Sequence, residues 1–308
     1  MRCIFIYNPI SGRGKILRHL ELIEGTLSKI YDEVVMYESK SAEDIKKKAF
    51  DSCYDYDAII FSGGDGTFND IISGVSASKV RPPLGFIPTG TANDNARNLN
   101  IPRSIKGALK VIENQNMMKH DVGKVNDTYF VYALAAGACT ATSYTTKQSA
   151  KKVIGRIAYV LNGMEEFFAP TLNIVKITDL ETNNSITSEV PLILILNTKS
   201  VGGMRFNRFG HLNDGEFDIV LVKNGTGYGR FNIIGFFIHG LLGFRRNKVY
   251  TDSLTSRKFK VEISEDVYWC VDGEKGPKGT IIVENLHEHI KIFAQEKIVK
   301  KQNKKYRK

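Results

Sequence analysis

Cysteine is scarce in this chain of 308 residues, and its four cysteines lie far apart, at Cys3, Cys53, Cys139 and Cys270. They form no C-x-x-C pair, and no histidine stands where it would complete a zinc site. The sequence therefore argues against structural zinc, and the scattered thiols predict a reducing, cytoplasmic location.

Long apolar runs are also absent. The longest, from Phe231 to Phe244, has 14 residues, fewer than the about 18 that a membrane-spanning helix needs. The apolar run at the N-terminus is interrupted by Asn8-Pro9, too early for a signal peptide. We therefore expect a soluble protein, or one that binds a membrane only peripherally.

The composition excludes a disordered or fibrous chain, because 42% hydrophobic and 25% charged residues is an ordinary globular mixture. The net charge of +10 suggests an anionic partner. Nucleic acid is not predicted, since the sequence has no base-reading motif and no interleaved aromatic and basic residues. The last 12 residues hold seven of the ten net positive charges, which leaves +3 for the other 296. A solvated, disordered tail is the simpler interpretation of this segment.

The length predicts about two domains, and the pattern changes near Val122. Before it, strand-like runs alternate with helix-like runs, which predicts a doubly wound, mostly parallel sheet over residues 1–124. After it, long strand-like runs such as Thr128–Ala136 and Ile186–Asn197 predict a β-rich, antiparallel, sandwich-like domain over residues 125–293. Two helices are expected there, Ile154–Phe168 and Phe231–Leu242. Whether residues 294–308 return to the first domain is left open.

The most informative peptide is Gly63-Gly64-Asp65-Gly66-Thr67, which follows the buried run DAIIF and precedes a helix. Glycines let a ligand approach the backbone closely, and a helix N-terminus favours anions, so a phosphate is the expected guest. A carboxylate beside phosphate oxygens needs a bridging cation, and Mg²⁺ fits that role. The loop therefore predicts a nucleotide and a metal ion.

Two more loops follow strands of the same half, Asn8–Lys15 and Pro88–Arg97. The first is not a Walker A loop, because Pro9 stands at the place of its first glycine and Ile16 at the place of its Ser/Thr. In the second, Asn93 and Asp94 taken alone would be read as helix caps. Three loops of this kind at neighbouring strand ends favour a phosphate site.

Five motifs resemble those of the diacylglycerol kinase catalytic-domain family, which includes soluble bacterial lipid kinases, sphingosine kinases and ceramide kinases. They are Asn-Pro-x-Ser-Gly (8–12), Gly-Gly-Asp-Gly-Thr-x-Asn (63–69), Pro-x-Gly-Thr-x-Asn-Asp-x-Ala-Arg (88–97), Asp214-Gly215 and Asp272-Gly273-Glu274. The resemblance implies a fold like that of NAD kinase, with ATP between a nucleotide-binding domain and a lipid-substrate domain. It also implies ATP-dependent phosphorylation of a lipid hydroxyl, converting diacylglycerol to phosphatidate.

The resemblance assigns roles to individual residues. Glu274 is the first candidate for the general base, Asp272 the second, and Asp65 a residue of the metal or phosphate network that also has a claim to the base role. The expected ATP contacts are Asn8, Pro9, Ser11, Gly12, Ser39, Gly63, Gly64, Asp65, Gly66, Thr67, Asn69, Thr91, Asn93 and Asp94.

The family also implies a magnesium site at Asp214, completed by the backbone of His211 and Glu216. The sequence departs from the family there, with Arg208 and Gly210 where Pro-x-Ala is frequent. It departs again at Asn95, where the family usually has Phe.

Two alternative functions and one partner, the membrane surface, remain to be considered. NAD kinase shares the Gly-Gly-Asp-Gly loop, but its family has Asn-x-Gly leading into Leu-Gly-Phe, whereas Leu84-Gly85-Phe86 here precedes Pro88-Thr89. A non-catalytic lipid-binding relative is disfavoured because the motif acids are retained. The basic tail predicts transient binding to the anionic inner face of a membrane. The two helices with basic neighbours could add to this binding or could simply belong to the core, and both interpretations are left open. The identity of the lipid and a homodimer are left open.

Overall fold

The computed structural model describes residues 1–138, 171–201, 204, 206–207, 210–224, 232–242 and 250–305. The helix expected at 154–168 lies outside these residues. The chain divides into two compact units, Met1–Val122 with Glu288–Lys308, and Gly123–His287. The first division, after Val122, lies close to the predicted boundary after residue 124. The second, after His287, lies before residue 294, from which a return of the chain to the first domain was considered.

The elements of the described chain are as follows. The strands are β1 Arg2–Tyr7, β2 Glu33–Glu38, β3 Ala58–Gly63, β4 Leu84–Pro88, β5 Met117–Val125, β6 Thr128–Phe130, β7 Ala133–Gly137, β8 Asn173–Asp179, β9 Ser185–Val190, β10 Leu192–Leu196, β11 Phe217–Val222, β12 Thr251–Ser256, β13 Lys258–Glu262, β14 Tyr268–Val271, β15 Glu274–Lys278 and β16 Ile281–Phe293. The helices are a 3₁₀ helix Ser11–His19, α1 Leu20–Leu27, α2 Ala42–Asp55, α3 Asp65–Ala77, α4 Asp94–Asn98, α5 Ile105–Glu113, α6 Asn232–Leu242 and α7 Glu296–Lys305.

The first unit contains the predicted parallel sheet. Its strands run in the order β2-β1-β3-β4, all parallel, and β16 adds a further parallel neighbour to β4 through the pair Ile292 and Leu84. The side chains of β3 and β4 are buried throughout. Parallel strands place their carboxyl ends at one edge, so the loops that follow β1, β3 and β4 lie side by side.

Side-chain caps fix two of the surrounding helices. The Ser41 hydroxyl accepts a hydrogen bond from the Asp44 amide at the start of α2, and Ser104 does the same for Gly107 at the start of α5. The helix α3 differs, because Gly64 precedes it and supplies no side-chain cap. Its first amides therefore remain available beside the glycine loop.

The second unit contains two antiparallel sheets. One has the order β16-β13-β8-β9, and the other the order β12-β11-β10-β7-β14-β15. Apolar side chains of both sheets meet in one core, with Phe259 and Val261 from the first sheet and Phe217, Ile219 and Trp269 from the second. The predicted fold class, an α/β domain followed by an antiparallel sandwich-like domain, is confirmed.

Two predictions of a single long strand were wrong, because in the structure each of these segments forms two separate strands. Ile186–Asn197 is divided at Pro191, which has no amide hydrogen for a ladder, and β9 and β10 belong to different sheets. Thr128–Ala136 is divided at Val131 and Tyr132, whose amides donate to the Asp272 carboxylate instead of to a neighbouring strand.

The tail is helical rather than disordered as far as Lys305. Gln302 holds α7 in place, because its side-chain amide accepts a hydrogen bond from the Lys119 amide (3.1 Å) and donates one to the Lys119 carbonyl (2.8 Å). Among the described residues, no helix is both long enough and apolar enough to cross a membrane.

Candidate functional site

The loop after β1 turns tightly and presses on the loop after β4. The Asn8 side chain accepts a hydrogen bond from the Ile10 amide at 3.1 Å, and the Asn8 carbonyl accepts one from the Ser11 amide at 3.2 Å. Gly12 has a φ of +58°, and a Cβ there would lie 2.0 Å from the Thr89 carbonyl oxygen. Only glycine fits this conformation and this approach.

The loops after β3 and β4 touch through their backbones. The Gly63 carbonyl accepts hydrogen bonds from the amides of Thr89 (2.9 Å) and Gly90 (3.1 Å). A Cβ on Gly90 would lie 2.5 Å from the Gly64 Cα, and one on Gly63 would meet Thr67 at 2.3 Å. The packing of the loops on one another therefore requires glycine at positions 12 and 90, whereas Gly63 is required by the turn that leads into α3.

Three hydroxyls connect the same loops. The Thr89 hydroxyl donates to Ser11 Oγ at 3.2 Å and lies 3.3 Å from Ser62 Oγ. Ser11 was a predicted contact, whereas Ser62 and Thr89 were missed. Their positions immediately before Gly63 and Gly90 are the signal that could have identified them.

Asp65, the first residue of α3, is held from the loop after β4. Its Oδ1 accepts hydrogen bonds from the Asn95 amide at 2.9 Å and from Asn95 Nδ2 at 3.2 Å. The structure thus gives a partner to the residue at which the sequence departs from the family. Gly66 is exposed, and Asn69 Oδ1 is buried and accepts no hydrogen bond from the residues that the structure describes.

Asn93 and Asp94 shape the start of α4. Asn93 has a φ of +51° and donates from Nδ2 to the Gly90 carbonyl at 2.7 Å, while its Oδ1 is buried and has no hydrogen-bond partner among the described residues. The buried Asp94 carboxylate pairs with Arg97. The exposed Thr91 offers its carbonyl to Arg103 at 2.7 Å. A buried acceptor such as Asn93 Oδ1 needs a donor from a ligand or a water molecule.

Ser39 stands apart from this group. Its hydroxyl and its amide both donate to the Tyr7 carbonyl, at 3.0 and 2.9 Å, so the buried side chain secures the end of β1 against the end of β2. A nucleotide contact from Ser39 remains a prediction, and the same holds for Pro9.

In the second unit, the turn between β14 and β15 carries two acids in different surroundings. Asp272 has a φ of +49°. Its carboxylate accepts hydrogen bonds from the amides of Val131 (2.6 Å), Tyr132 (2.9 Å) and Ala133 (2.9 Å), and its carbonyl accepts one from the Tyr132 hydroxyl. Both oxygens of the Asp272 carboxylate are therefore engaged with backbone amides, which fixes its orientation in the turn.

Glu274, two residues further on, is exposed. Its side chain makes no hydrogen bond or ion pair with any residue that the structure describes, although its backbone pairs with Val271 in the β14–β15 ladder. Its carboxylate is therefore free to meet a substrate.

The predicted metal ligands lie at another turn of the second unit, just before β11. Asp214, His211 and Glu216 are exposed, and Gly215 between two of them has a φ of +80°. The Glu216 carbonyl accepts a hydrogen bond from Asn285 Nδ2 at 3.2 Å, while Asn285 Oδ1 is buried and has no partner in the part of the chain that the structure describes. Carboxylate and carbonyl oxygens suit Mg²⁺. Within the described ranges, no three His, Cys, Asp or Glu residues form a metal cluster, so the metal site remains a prediction.

Comparison with known proteins supports one family. The model of the diacylglycerol kinase catalytic domain matches residues 2–125. Diacylglycerol kinases from Staphylococcus aureus strains bovine RF122 / ET3-1 and MRSA252 are each 32% identical over 300 residues, covering 97% of this chain and 94% of the relative. A crystal structure from Bacillus anthracis str. Sterne, of a protein assigned as a diacylglycerol kinase, has a TM-score of 0.84 at 25% identity over 96% of each chain.

A second B. anthracis str. Sterne diacylglycerol kinase structure, 23% identical, covers 96% of this chain and 98% of that one with a TM-score of 0.76, and shares the fold. Both the sequence relatives and the structures extend over nearly the whole chain. The chain therefore belongs to the diacylglycerol kinase family of lipid kinases.

Proposed function

We propose that the chain transfers the γ-phosphoryl group of ATP to a lipid hydroxyl, with diacylglycerol as the acceptor and phosphatidate as the product. The observation that carries the proposal is the loop cluster of the first unit, defined as the loops after β1, β3 and β4. Its glycine backbones lie against one another beside the uncapped N-terminus of α3. Such a surface offers amide hydrogens and a positive helix end to phosphate oxygens.

Phosphoryl transfer depends mainly on positioning and on neutralising charge. In the loop cluster, Asp65 keeps one carboxylate oxygen without a hydrogen bond to the described residues, because both of its donors bind the other oxygen. We assign Asp65 to the network around the phosphates. A Mg²⁺ ion bound there would supply positive charge against the phosphates.

The lipid hydroxyl must lose a proton as it attacks. Glu274 is the better candidate for this base, since its carboxylate is exposed and unpaired among the described residues. Asp272 already accepts three amide hydrogens. We therefore propose that Glu274 accepts the proton and that Asp272 builds the turn that carries it.

The test is an assay with γ-labelled ATP and Mg²⁺ against five acceptors in detergent micelles or buffer: diacylglycerol, monoacylglycerol, a sphingoid base, phosphatidylglycerol and NAD. We expect label in phosphatidate, with less or none in the other products. Label in another lipid alone would correct the acceptor, and label in NAD alone would overturn the lipid-kinase proposal.

We also propose that α7 attracts the enzyme to anionic membranes. Lys297 and Lys300 are exposed, and Gln302 holds the helix on β5. A basic residue near an anionic surface contributes on the order of 1 kcal/mol of attraction.

Replacing Lys297, Lys300, Lys301, Lys304, Lys305, Arg307 and Lys308 by Gln keeps Gln302 in place and removes seven charges. Co-sedimentation with vesicles containing phosphatidylglycerol should then fall at least tenfold, while activity on micellar lipid stays unchanged. Equal co-sedimentation of the two proteins would contradict the role of α7.

A further inference from the structure

The Asn95 side chain holds the carboxylate that the loop cluster presents. Two donors of this one residue, the backbone amide and Nδ2, converge on Oδ1 of Asp65, at 2.9 and 3.2 Å. Asn95 is only 3% exposed, so its amide group is enclosed and has little freedom to turn away. The two residues come from different loops, and they meet only because those loops are packed on each other through Gly64 and Gly90.

The backbone amide and the Nδ2 group of Asn95 restrict the Asp65 carboxylate in different ways. The backbone amide would be present with almost any side chain at position 95, and one hydrogen bond leaves a carboxylate free to rotate about its Cβ–Cγ bond. The second donor comes from a fixed direction on the same residue, so together they restrict the plane of the carboxylate. Hydrogen bonds to a charged group are stronger than those between neutral groups, so the restriction is substantial.

We infer that Asn95 is a positioning residue, whose side-chain amide orients Asp65 and leaves its other carboxylate oxygen directed to the phosphates. The inference rests on the proposed function, because it acts through Asp65. It also depends on the residue at which this sequence departs from the usual pattern of the family, since a Phe at this position would offer the backbone amide alone.

A double-mutant cycle tests the inference, with Asn95→Leu made alone and together with Asp65→Asn. The Asn95→Leu change keeps the number and branching of the side-chain heavy atoms and removes the donor. We expect Asn95→Leu to lower kcat about tenfold in the wild-type background. In the Asp65→Asn background, the same change should lower kcat less than about twofold, because the group that it positions is already lost. Equal losses in the two backgrounds, or no loss in the first, would overturn the inference.

A swapped pair separates positioning from simple support of the loops. In Asp65→Asn combined with Asn95→Asp, an amide and a carboxylate still face each other, so the Tm should recover most of what Asn95→Leu loses. The carboxylate is now on the wrong loop, so kcat should remain as low as in Asp65→Asn. Recovery of kcat together with the Tm would show that Asn95 only supports the loops and would refute the positioning role.

Failure of the proposed function has a different signature. A wild-type protein that folds but transfers no label to any lipid would overturn the lipid-kinase proposal and this inference with it. An active wild type with an additive cycle would overturn only the role of Asn95.

Discussion

The loop cluster of the first unit and the β14–β15 turn of the second unit both consist of motif residues, but they are built differently. In the loop cluster, glycine backbones and hydroxyls bind one loop to the next, and nearly every predicted residue has a structural partner. In the turn, two acids that are close in sequence have different surroundings. Asp272 is occupied by three amides, and Glu274 is exposed and unpaired within the described chain.

This difference shows that a sequence motif does not by itself assign roles to its residues. A motif marks a place where residues are constrained, without saying which of them shape the backbone and which are left for the reaction. In the loop cluster the constraint is steric, and the ligand is expected to bind to backbone groups. In the turn, the Asp272 carboxylate binds three backbone amides, and we propose that this arrangement leaves Glu274 to accept the proton.

The difference between the loop cluster and the β14–β15 turn is tested most strongly by a substitution at Glu274. Glu274→Gln keeps the size of the side chain and removes the base, so kcat should fall about 1,000-fold. The Tm should stay within 1 °C or so of the wild type, because the carboxylate has no partner among the described residues to lose. Steady-state assays with micellar diacylglycerol, alongside thermal unfolding, check both statements, and full activity of the variant would exclude Glu274 as the base.

The loop cluster is tested by Gly12→Ala. The left-handed backbone and the Thr89 carbonyl 2.0 Å from the new Cβ should together cost about 4 kcal/mol of unfolding free energy. The KM for ATP should rise about tenfold, because the loops can no longer close on each other. Denaturant unfolding and initial rates measure the two effects.

Gly25→Ala is the matched control for this variant. Gly25 lies in α1 with open space around its Cβ position. The change should therefore stabilise the protein by about 0.5 to 1 kcal/mol and leave the KM unchanged. Equal behaviour of the two alanine variants would contradict the steric account of the loop cluster.

The two units should also differ in their response to acid. Burial lowers the pKa of His120, in the first unit, to about 4, and the hydrogen bond with the Asp121 carbonyl opposes this only partly. The unfolded chain therefore takes up a proton first as the pH falls below about 6.5. Stability should be lost between pH 6.5 and pH 4, by on the order of 3 kcal/mol, and not further below that range.

In the second unit, the hydrogen bond from Ser256, followed by those from the Thr182 backbone and others, lowers the pKa of Asp179 to about 2. Its contribution to stability is present above pH 4 or so and is lost only as the pH falls towards 2.

Because Asp179 acts at lower pH, the fall of Tm between pH 6.5 and 4 is assigned to His120, and His120→Leu should flatten it. An unchanged slope in that variant would show that another group controls this range.

Much of the fold could be predicted from the sequence, because alternating runs before Val122 and β-rich runs after it follow simple periodicity. The strand β15 escaped because its sequence, EKGPK, is polar and contains Gly276 and Pro277. The tail escaped for a different reason, since its helix is anchored by Gln302 on Lys119, which is far away in the sequence.

For the site, the motifs identified the loops but not the relations between residues. Nothing local in the sequence indicates that Asn95 binds Asp65, because the two meet only when β3 and β4 are neighbours. The role of Asp272 depends on amides about 140 residues earlier in the chain. Short-range patterns cannot reveal such partners.

The most direct test of the account compares Asp272→Asn with Glu274→Gln in the same assays. In the wild type, Oδ1 of Asp272 accepts hydrogen bonds from the amides of Tyr132 and Ala133, and Oδ2 accepts one from the Val131 amide. An Asn at 272 keeps one oxygen for the first two amides, but its NH₂ group faces the Val131 amide, so two donors oppose each other. We expect its Tm to fall by about 4 °C or more, while its kcat, measured below that temperature, stays well above that of Glu274→Gln. If Asp272→Asn kept its Tm and lost at least as much turnover as Glu274→Gln, the proposed division of roles between the two acids would be wrong.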